Sequence, residues 1–329
     1  MRSDETPAFY SGDLAPFMAE YMQYNRKLGK KYDGVPYLLV SFSAQVTQKG
    51  IPINGINKSV VMGWATGSQI PHKLGNQRLY ILKQFLVFMQ QKGFSVYIPP
   101  KLKFVRSGFV PHIYTRGEIA AFFYACDTFR TKTERSKTPT VMPLLFRMLY
   151  CCGLRVSEAT NLKIRDVNLL DGILAIKHGK FDKDRLVPMS ADLLCYCRRY
   201  YKEVHLVSTE DAHFFTKRDG SPYLRDYVHD FFTKILWNAG ISRGGRGVGP
   251  RVHDFRHTFA VYALKQMHDN GMDIYCSLPL LSTYLGHASV AATERYVRLT
   301  KEIFPEIVSE VSLISSYVIP EVKINEETN

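Results

Sequence analysis

The sequence contains no apolar run that approaches the length of a membrane span. Its first residues include the charged Arg2, Asp4 and Glu5, and they lack the apolar core of a signal peptide. With 46% hydrophobic and 13% aromatic residues, the chain also lacks the polar bias of a disordered protein. These absences predict a folded, cytoplasmic protein, and 329 residues are enough for two domains that each bury a core.

Cysteines are few and do not have the spacing of metal ligands. The six are Cys126, Cys151, Cys152, Cys195, Cys197 and Cys276. Cys195 and Cys197 are two residues apart in a run that is expected to be helical, so their side chains should point to different faces of that helix. We therefore expect reduced thiols without a zinc or redox role.

Negative charge is scarce except at the end of the chain. The formal net charge is +13, and residues 301–329 hold two lysines and six glutamates, so residues 1–300 carry +17. Such an excess favours a polyanionic partner, with nucleic acid first and an anionic membrane second. Charge alone is a weak indication, since many basic proteins bind no DNA.

The first hundred residues show the apolar periodicity of helices. It predicts four helices, over residues 14–30, 34–48, 59–66 and 74–92. Asn57 is the predicted N-cap of the third helix, and Gly93 is predicted to end the fourth. Leu14, Met18, Tyr21 and Leu28 are among the apolar residues that recur at this spacing. A compact all-helical module follows from the pattern.

Basic residues occupy the remaining positions of this module. The candidates for contacts with DNA phosphates are Lys30, Lys31, Arg78 and Lys83. For any single one of them, a solvated helix face is the plainer interpretation. A basic, proline-containing stretch over residues 99–108 then breaks the periodicity, and it adds Arg106 as a further candidate. We place the domain boundary there, giving domains 1–104 and 105–329. A basic linker between two basic domains would let them close around a duplex.

The second domain is predicted to be mainly helical with a small β-hairpin, so the whole chain is α+β. Thr115 and Glu118 have the spacing of a capping box that begins its first helix. Further helices are expected over residues 140–152, 191–201 and 224–238, and strands over residues 172–177 and 185–189. A hairpin turn containing Gly179 joins the two strands.

Three short clusters between residues 251 and 300 concentrate histidine, arginine and tyrosine, and three interpretations compete for them. His253 and His257 are four residues apart on a probable helix and could bind a metal with His287. However, no acidic residue lies where a zinc protease has its glutamate, and flanking arginines disfavour a cation. The second interpretation is structural, with the histidines hydrogen-bonded in a core, and it is the stronger one for any single residue.

The third interpretation is phosphoryl transfer without a metal. A phosphodiester transition state spreads negative charge over its nonbridging oxygens, and the planar guanidinium of arginine matches that geometry. Arg155 and Arg256 could supply these donors. Tyr296 is the candidate nucleophile, and because a phenol titrates near pH ~10, it needs nearby positive charge or a base.

Five motifs together resemble the tyrosine recombinases, also called the phage integrase family. They are C-G-L-R-V-S-E (152–158), H-G-K-F-D-K-D-R-L-V-P (178–188), H-D-F-R-H-T (253–258), L-G-H (285–287) and R-Y (295–296). They occur in the family's order, and His287 and Tyr296 are nine residues apart, as in that family. The resemblance spans most of the second domain, and the N-terminal helices look like the family's core-binding domain on helical pattern alone.

The resemblance implies a role for each motif residue. Arg155 and Arg256 would hold the scissile phosphate, and Tyr296 would attack it to form a 3′-phosphotyrosyl link. Lys180 would protonate the 5′-oxygen leaving group, with Lys177 and Lys183 as alternatives if the hairpin register differs. His253 would assist proton transfer, and His287 would hydrogen-bond a nonbridging oxygen.

Other residues near these motifs are given supporting roles. Glu158 lies three residues after Arg155, one turn along the same expected helix, and would orient it. Arg251, Arg295, Arg298 and His257 are interpreted as duplex or packing contacts rather than catalysts. The extended segment between Thr258 and Leu285 leaves the placement of His287 uncertain at this stage.

The expected partner is double-stranded DNA, and no cofactor or metal is expected because the covalent intermediate conserves the bond energy. After Pro305, an apolar stripe that includes Ile307, Val311 and Val318 predicts a tail helix. Packing on its own domain and docking on a neighbouring protomer are equally favoured for it. In the family such a tail is exchanged between protomers, which predicts a tetramer across two DNA sites.

The function predicted is site-specific DNA recombination that serves a mobile element through integration, excision or transposition, by an enzyme associated with the nucleoid. A type IB-like topoisomerase is the alternative within DNA chemistry, because it uses the same nucleophile without pairing two sites. A catalytically silent DNA-binding regulator on the same fold is the alternative from another class.

Overall fold

The computed structural model describes residues 10–29, 35–66, 72–100, 110–131, 136–177, 184–244, 249–287, 289 and 291–303. The chain divides into two compact units, Met1–Gly108 and Phe109–Asn329. The predicted boundary between residues 104 and 105 falls outside the described residues. Within the described part of the chain, no helix is both long and apolar enough to cross a membrane.

Four α-helices build the described part of the first unit, as the sequence predicted. They are α1 (Ala15–Lys27), α2 (Val35–Gln48), α3 (Lys58–Thr66) and α4 (His72–Gln91). Their apolar faces meet in one core around Met18, Phe42, Trp64 and Phe85, each no more than 3% exposed. Burying a side chain such as Phe85 contributes about 1.5–3 kcal/mol, so this core supplies most of the unit's stability.

Helix boundaries in this unit follow local chemistry. The Asn57 side chain accepts a hydrogen bond from the Val60 backbone N–H, which confirms the predicted cap. Gly93 follows α4 with a positive φ of 91°, as expected for the residue that ends a helix. Leu28, the last apolar residue of the predicted spacing, lies at the C-cap of α1, where the helical repeat ends, and it is 56% exposed.

Eight helices and a small sheet form the second unit over its described residues. The helices are α5 (Arg116–Asp127), α6 (Thr138–Cys151), α7 (Val156–Asn161), α8 (Ala191–Val204), α9 (Arg225–Asn238), α10 (Asp254–Asp269), α11 (Ile274–Leu285) and α12 (Ala291–Ile303). The predicted capping box at the start of α5 is confirmed, because Thr115 and Glu118 exchange hydrogen bonds. Cys195 is exposed and Cys197 buried on α8, also as predicted.

The sheet contains three antiparallel strands in the order β1 (Val167–Asn168), β2 (Ile173–Ile176) and β3 (Arg185–Pro188). Strands β2 and β3 pair with Ile176 opposite Arg185, so they form the predicted hairpin. The turn that joins them, residues 178–183, lies outside the described residues. Strand β1 was not predicted, because an element of two residues is too short to show a period. Helix α7 was expected only from the spacing of Arg155 and Glu158, and it begins one residue after Arg155.

An aromatic core lies beneath α10 and fixes its position. Phe255 packs against Tyr114, Phe122, Phe146 and Phe232, with ring centroids 5.0–6.1 Å apart. These rings are buried, and each such pair adds about 0.5–1.5 kcal/mol beyond the area it buries. Because Phe255 occupies the first turn of α10, this packing sets the position of its neighbours Asp254 and Arg256.

Candidate active site

Arg155 lies at the N-cap of α7, in extended backbone conformation, and not inside the helix as predicted. Its backbone N–H donates to Glu158 Oε2 at 2.9 Å, and its Nη1 donates to Glu158 Oε1 at 2.5 Å. The predicted pairing of these two residues is therefore present, although its geometry is that of a helix cap. Since the side chain of Arg155 is 19% exposed, part of its guanidinium remains open to a ligand.

Arg185 on β3 completes this cluster. Its Nη1 and Nη2 donate to the two carboxylate oxygens of Glu158 at 3.1 and 2.8 Å, and its Nε donates to the Tyr284 carbonyl at 2.8 Å. Burial alone raises the pKa of the Glu158 carboxyl, but the hydrogen bonds and charges of Arg185 and Arg155 outweigh burial and bring it to about 2. Glu158 is therefore an anion shared by two arginines.

Arg256 is fully buried in the first turn of α10, at 1% exposure. Its Nη1 donates to the Gly153 carbonyl at 2.7 Å, and its Nη2 donates to the Leu285 carbonyl at 2.5 Å. Burial and the nearby charge of Arg155 lower its pKa to about 10, which still leaves it charged at neutral pH. A guanidinium has five N–H donors, so Arg256 keeps unused N–H groups after making both bonds.

The two arginines converge on one turn of the chain. Arg155 Nη2 donates to the Gly286 carbonyl at 3.3 Å, next to the Leu285 carbonyl that Arg256 binds. Gly286 ends α11 with a left-handed φ of 65°, and a Cβ there would lie 2.9 Å from Arg185 Nη1. Glycine is therefore required both by the backbone and by the close approach of Arg185.

His287 follows this turn, and its placement is well defined. The residues added between Thr258 and Leu285 form the end of α10 and all of α11, whose N-cap is Asp273. The His287 ring nitrogen Nδ1 lies 2.8 Å from Thr293 Oγ1, and the ring stacks on Tyr296 with centroids 6.0 Å apart. Burial and the charges of Arg256 and Arg155 lower its pKa to about 4, so the ring is neutral at pH 7.

Tyr296 lies on α12 and is 1% exposed. Its hydroxyl is 3.1 Å from the Nδ1 atom of His257, which is itself buried. Burial raises the pKa of the phenol, while the positive charges of Arg256 and Arg295 act against that rise. The hydroxyl is therefore protonated at neutral pH and surrounded by charge that favours its anion.

His253 occupies the N-cap position of α10 and is the exposed member of the histidine group. Its ring packs edge-to-face on His257 with centroids 4.8 Å apart. Partial burial of the ring and the charges of Arg256 and Arg155 lower its pKa to about 4. Five of the six predicted catalytic residues therefore lie in one continuous network of contacts. They are Arg155, His253, Arg256, His287 and Tyr296.

The sixth predicted catalytic residue, Lys180, lies outside the described residues, and so does its alternative Lys183. The other alternative, Lys177, is described, and its Nζ pairs with Asp166 Oδ1 at 3.1 Å. That ion pair belongs to the sheet and gives Lys177 a structural partner. The choice among the three lysines stays a prediction.

The candidate DNA contacts are distributed differently. Arg78 packs over the Trp64 ring at 5.1 Å from its centroid and donates to the Trp64 carbonyl, so its contacts are with its own unit. Lys83 is half-buried on α4, and Arg251 is exposed just before α10. Lys30, Lys31 and Arg106, together with the side chain of Arg298, lie outside the described residues.

Two residues of this site were not recognised from the sequence. Arg185 follows the motif lysines directly, but only the fold shows that it meets Glu158. His257 was interpreted as a packing or duplex contact, whereas it contacts the Tyr296 hydroxyl. Among the described residues, no group of three His, Cys, Asp or Glu side chains is placed to hold a metal ion.

Known proteins resemble this chain in sequence. Residues 115–302 match the model of the phage integrase family. The putative integrase/recombinase y4rB of Sinorhizobium fredii is 30% identical over 294 residues, which cover 87% of this chain and 93% of y4rB. The tyrosine recombinase XerA of Pyrococcus horikoshii is 31% identical over 214 residues, which cover 63% of this chain and 64% of XerA, just under two-thirds of its length.

Solved structures share the fold. The recombinase XerH bound to a palindromic difH substrate superposes with a TM-score of 0.59 at 21% identity, covering 79% of this chain and 73% of XerH. The Tn1549 transposon integrase in complex with circular intermediate DNA superposes with a TM-score of 0.60 at 17% identity, covering 85% of this chain and 94% of the integrase.

The chain belongs to the phage integrase family. The family predicted from the five motifs is therefore confirmed, and so is the mainly helical α+β fold. By family it is a site-specific DNA recombinase of the tyrosine type, as the sequence predicted.

Proposed function

We propose that this enzyme cleaves and rejoins duplex DNA with Tyr296 as its nucleophile and with Arg155 and Arg256 as the phosphate-binding pair. One observation carries the assignment: the two arginines bind the adjacent carbonyls of Gly286 and Leu285, and the next residue, His287, stacks on Tyr296. Groups distant in sequence therefore surround one small region that holds a nucleophile and two cations.

The arginines serve as permanent positive charges that need no metal. Each has donors left over after its contacts with carbonyl or carboxylate oxygens, and these donors are available to the nonbridging oxygens of a phosphate. Arg256 is buried, and hydrogen bonds hold both of its Nη groups. Its guanidinium therefore does not have to reorganise when charge develops in the transition state. His287, neutral at pH 7, adds a hydrogen bond to one of these oxygens.

In the cleavage step, the Tyr296 oxygen bonds to phosphorus and the bond from phosphorus to the 5′-oxygen breaks. The phenol releases its proton to solvent with the assistance of His253, and the 5′-oxygen gains one from Lys180. The products are a 3′-phosphotyrosyl link and a free 5′-hydroxyl. Attack by a 5′-hydroxyl on that link reverses the step, so rejoining consumes neither ATP nor a cofactor.

The basic charge of residues 1–300 supports binding to a DNA duplex in the nucleoid, with the N-terminal helices as a core-binding domain. We further propose a tetramer across two DNA sites, in which residues 305–329 of each protomer dock on a neighbour. That tail lies outside the described residues, and its acidic charge beside an apolar stripe is the support for this assignment. Integration, excision or transposition of a mobile element is the process we favour.

Covalent trapping tests the proposal. Full-length protein is incubated with a pool of nicked duplexes of random sequence in which cleavage releases a short 5′-hydroxyl strand, so that the adduct cannot be resealed. Adducts that survive denaturation are isolated, sequenced and mapped by mass spectrometry. We expect a phosphodiester on Tyr296, formed equally well in EDTA, and no adduct with Tyr296→Phe, which should still bind DNA.

The alternatives give other outcomes. A silent regulator would bind duplexes selectively and form no adduct. A topoisomerase would relax supercoiled plasmid without joining ends from two sites, whereas a recombinase exchanges strands between two copies of the selected site. An adduct on another tyrosine, or a strict need for a divalent ion in cleavage, would overturn the assignment of the site.

A further inference from the structure

The hydroxyl of Tyr296 has a buried partner to which the predicted mechanism gives no role. His257 lies one helical turn after His253 on α10 and is 4% exposed. Its Nδ1 atom is 3.1 Å from the Tyr296 hydroxyl, across 39 residues of sequence. A polar ring buried at this depth needs a hydrogen-bond partner, and the hydroxyl is the one found at Nδ1.

His257 is neutral in this environment. Burial is the largest cause of its lowered pKa of about 3, and the nearby rings and charges of His253, Arg295 and Arg256 lower it further. A neutral imidazole has one nitrogen that donates and one that accepts. Since the Tyr296 phenol is protonated at neutral pH, its O–H donates to Nδ1, which requires the tautomer protonated at Nε2.

Contacts on both sides hold this pair in place. The His253 ring packs edge-to-face on His257 at 4.8 Å, and the His287 ring stacks on Tyr296 at 6.0 Å. The phenol therefore has a ring on one face, and its oxygen contacts both His257 Nδ1 and the guanidinium of Arg256. When its proton is directed at Nδ1, the oxygen can accept from Arg256 with one lone pair and keep the other for attack.

We propose that His257 is a positioning residue that holds the nucleophilic oxygen of Tyr296 through Nδ1. The proposal rests on the proposed function, since it assumes that Tyr296 is the nucleophile. It gives His257 a role in the attack on phosphorus and none in protonation of the leaving group. By microscopic reversibility, the same bond helps the phenol oxygen leave when the strand is rejoined.

Two substitutions separate the contact made by Nδ1 from the bulk of the ring. In His257→Asn the amide lies close to the former Nδ1 position, whereas in His257→Gln it lies close to Nε2. Misplacement of a reacting atom by about 1 Å costs on the order of 10²-fold in rate. We expect His257→Gln to form the Tyr296 adduct about 10²-fold more slowly than wild type, and His257→Asn to recover at least about 10-fold of that loss.

A second substrate identifies which bond is affected. In a duplex whose 5′-bridging oxygen is replaced by sulfur, the leaving thiolate needs no proton. This duplex should restore the cleavage rate of the Lys180→Ala variant. It should leave the slow cleavage by His257→Gln unchanged. His268→Gln, on the same helix, is the matched control and should cleave at the wild-type rate. Thermal melting and DNA binding of each variant verify that the fold is intact.

The outcomes are distinct. If wild-type protein forms no adduct on Tyr296, the proposed function fails. If wild type does form the Tyr296 adduct, the rates of the two variants decide the positioning role. That role is wrong if His257→Asn cleaves no faster than His257→Gln. Restoration of His257→Gln by the sulfur substrate would also overturn it, because His257 would then act on the leaving group.

Discussion

Arg185 and Glu158 form a bidentate ion pair, with Nη1–Oε1 and Nη2–Oε2 distances of 3.1 and 2.8 Å. Both side chains are buried, at 7% and 5% exposure, and Glu158 also binds Arg155. Arg185 in addition binds the Tyr284 carbonyl, close to the turn that carries His287. One guanidinium therefore connects β3, the start of α7 and the end of α11.

Loss of Arg185 should damage both stability and catalysis. Breaking a buried ion pair from one side leaves an uncompensated charge and typically costs about 3–5 kcal/mol. We expect Arg185→Gln to lower the free energy of unfolding in urea by about 3 kcal/mol, with Arg155 retaining part of the carboxylate's hydrogen bonding. The exposed Arg225→Gln on α9 is the control and should change it by less than about 0.5 kcal/mol. Equal stabilities for the two variants would contradict the connecting role.

Arg155 and Arg256 should differ in what each contributes besides phosphate binding. Removal of one preorganised donor from a reaction site costs about 10²–10³ in rate, so alanine at either position should slow adduct formation by that factor. Arg256→Ala also leaves the Gly153 and Leu285 carbonyls unpaired inside the protein, at about 1–3 kcal/mol each.

The prediction for stability follows from that difference. Urea unfolding should show a larger loss for Arg256→Ala than for Arg155→Ala, because Glu158 keeps Arg185 when Arg155 is removed. Arg256→Lys should not restore the rate, since a single ammonium group cannot reproduce two planar bonds and still bind a phosphate. A lysine variant with wild-type cleavage would show that charge alone suffices.

The burial of His257 should make stability depend on pH. Its pKa is about 3 in the folded protein and about 6.5 in the unfolded chain, so between these values the unfolded state binds more protons. Titration of His257 has no effect on the free energy of unfolding above pH ~7.5, and it lowers that free energy as the pH falls below about 6.5. Relative to His257→Asn, which cannot titrate, wild type should lose roughly 1.4 kcal/mol more between pH 7.5 and 5.5.

Paired urea titrations at the two pH values measure this difference. The carboxylates titrate in both proteins, so their effect cancels in the comparison. A wild-type protein that loses no more stability than the variant would mean that His257 is charged or solvated in the folded state.

Deletion of residues 305–329 should separate binding from exchange. If the tail docks on a neighbour, the truncated protein binds and cleaves a single site nearly as well as the full chain but loses strand exchange between two sites. Gel shift and adduct formation on one duplex, compared with joining of two duplexes, provide the measurement. A loss of similar size in all three assays would assign the tail to the fold of its own protomer.

The fold followed from the sequence wherever the apolar spacing repeated over several turns. Helices α1 to α4 and the cap at Asn57 were predicted because those features are local. Leu28 shares the apolar spacing and is nevertheless exposed, because the helical repeat had already ended there. Five motifs likewise identified the family. The partners of Arg185 and His257 were missed because they lie 27 and 39 residues away, and only tertiary packing brings them together.

The burial of Tyr296 has a consequence for the fate of the cleaved strand. A phenol that is 1% exposed lies where bulk water has little access, and an ester formed on it would share that protection. With Tyr296 as the proposed nucleophile, we expect hydrolysis of that ester to be slow in comparison with attack by a DNA end held in the same place. Seclusion of this one oxygen would then distinguish an enzyme that returns its strands joined from a nuclease that leaves them broken.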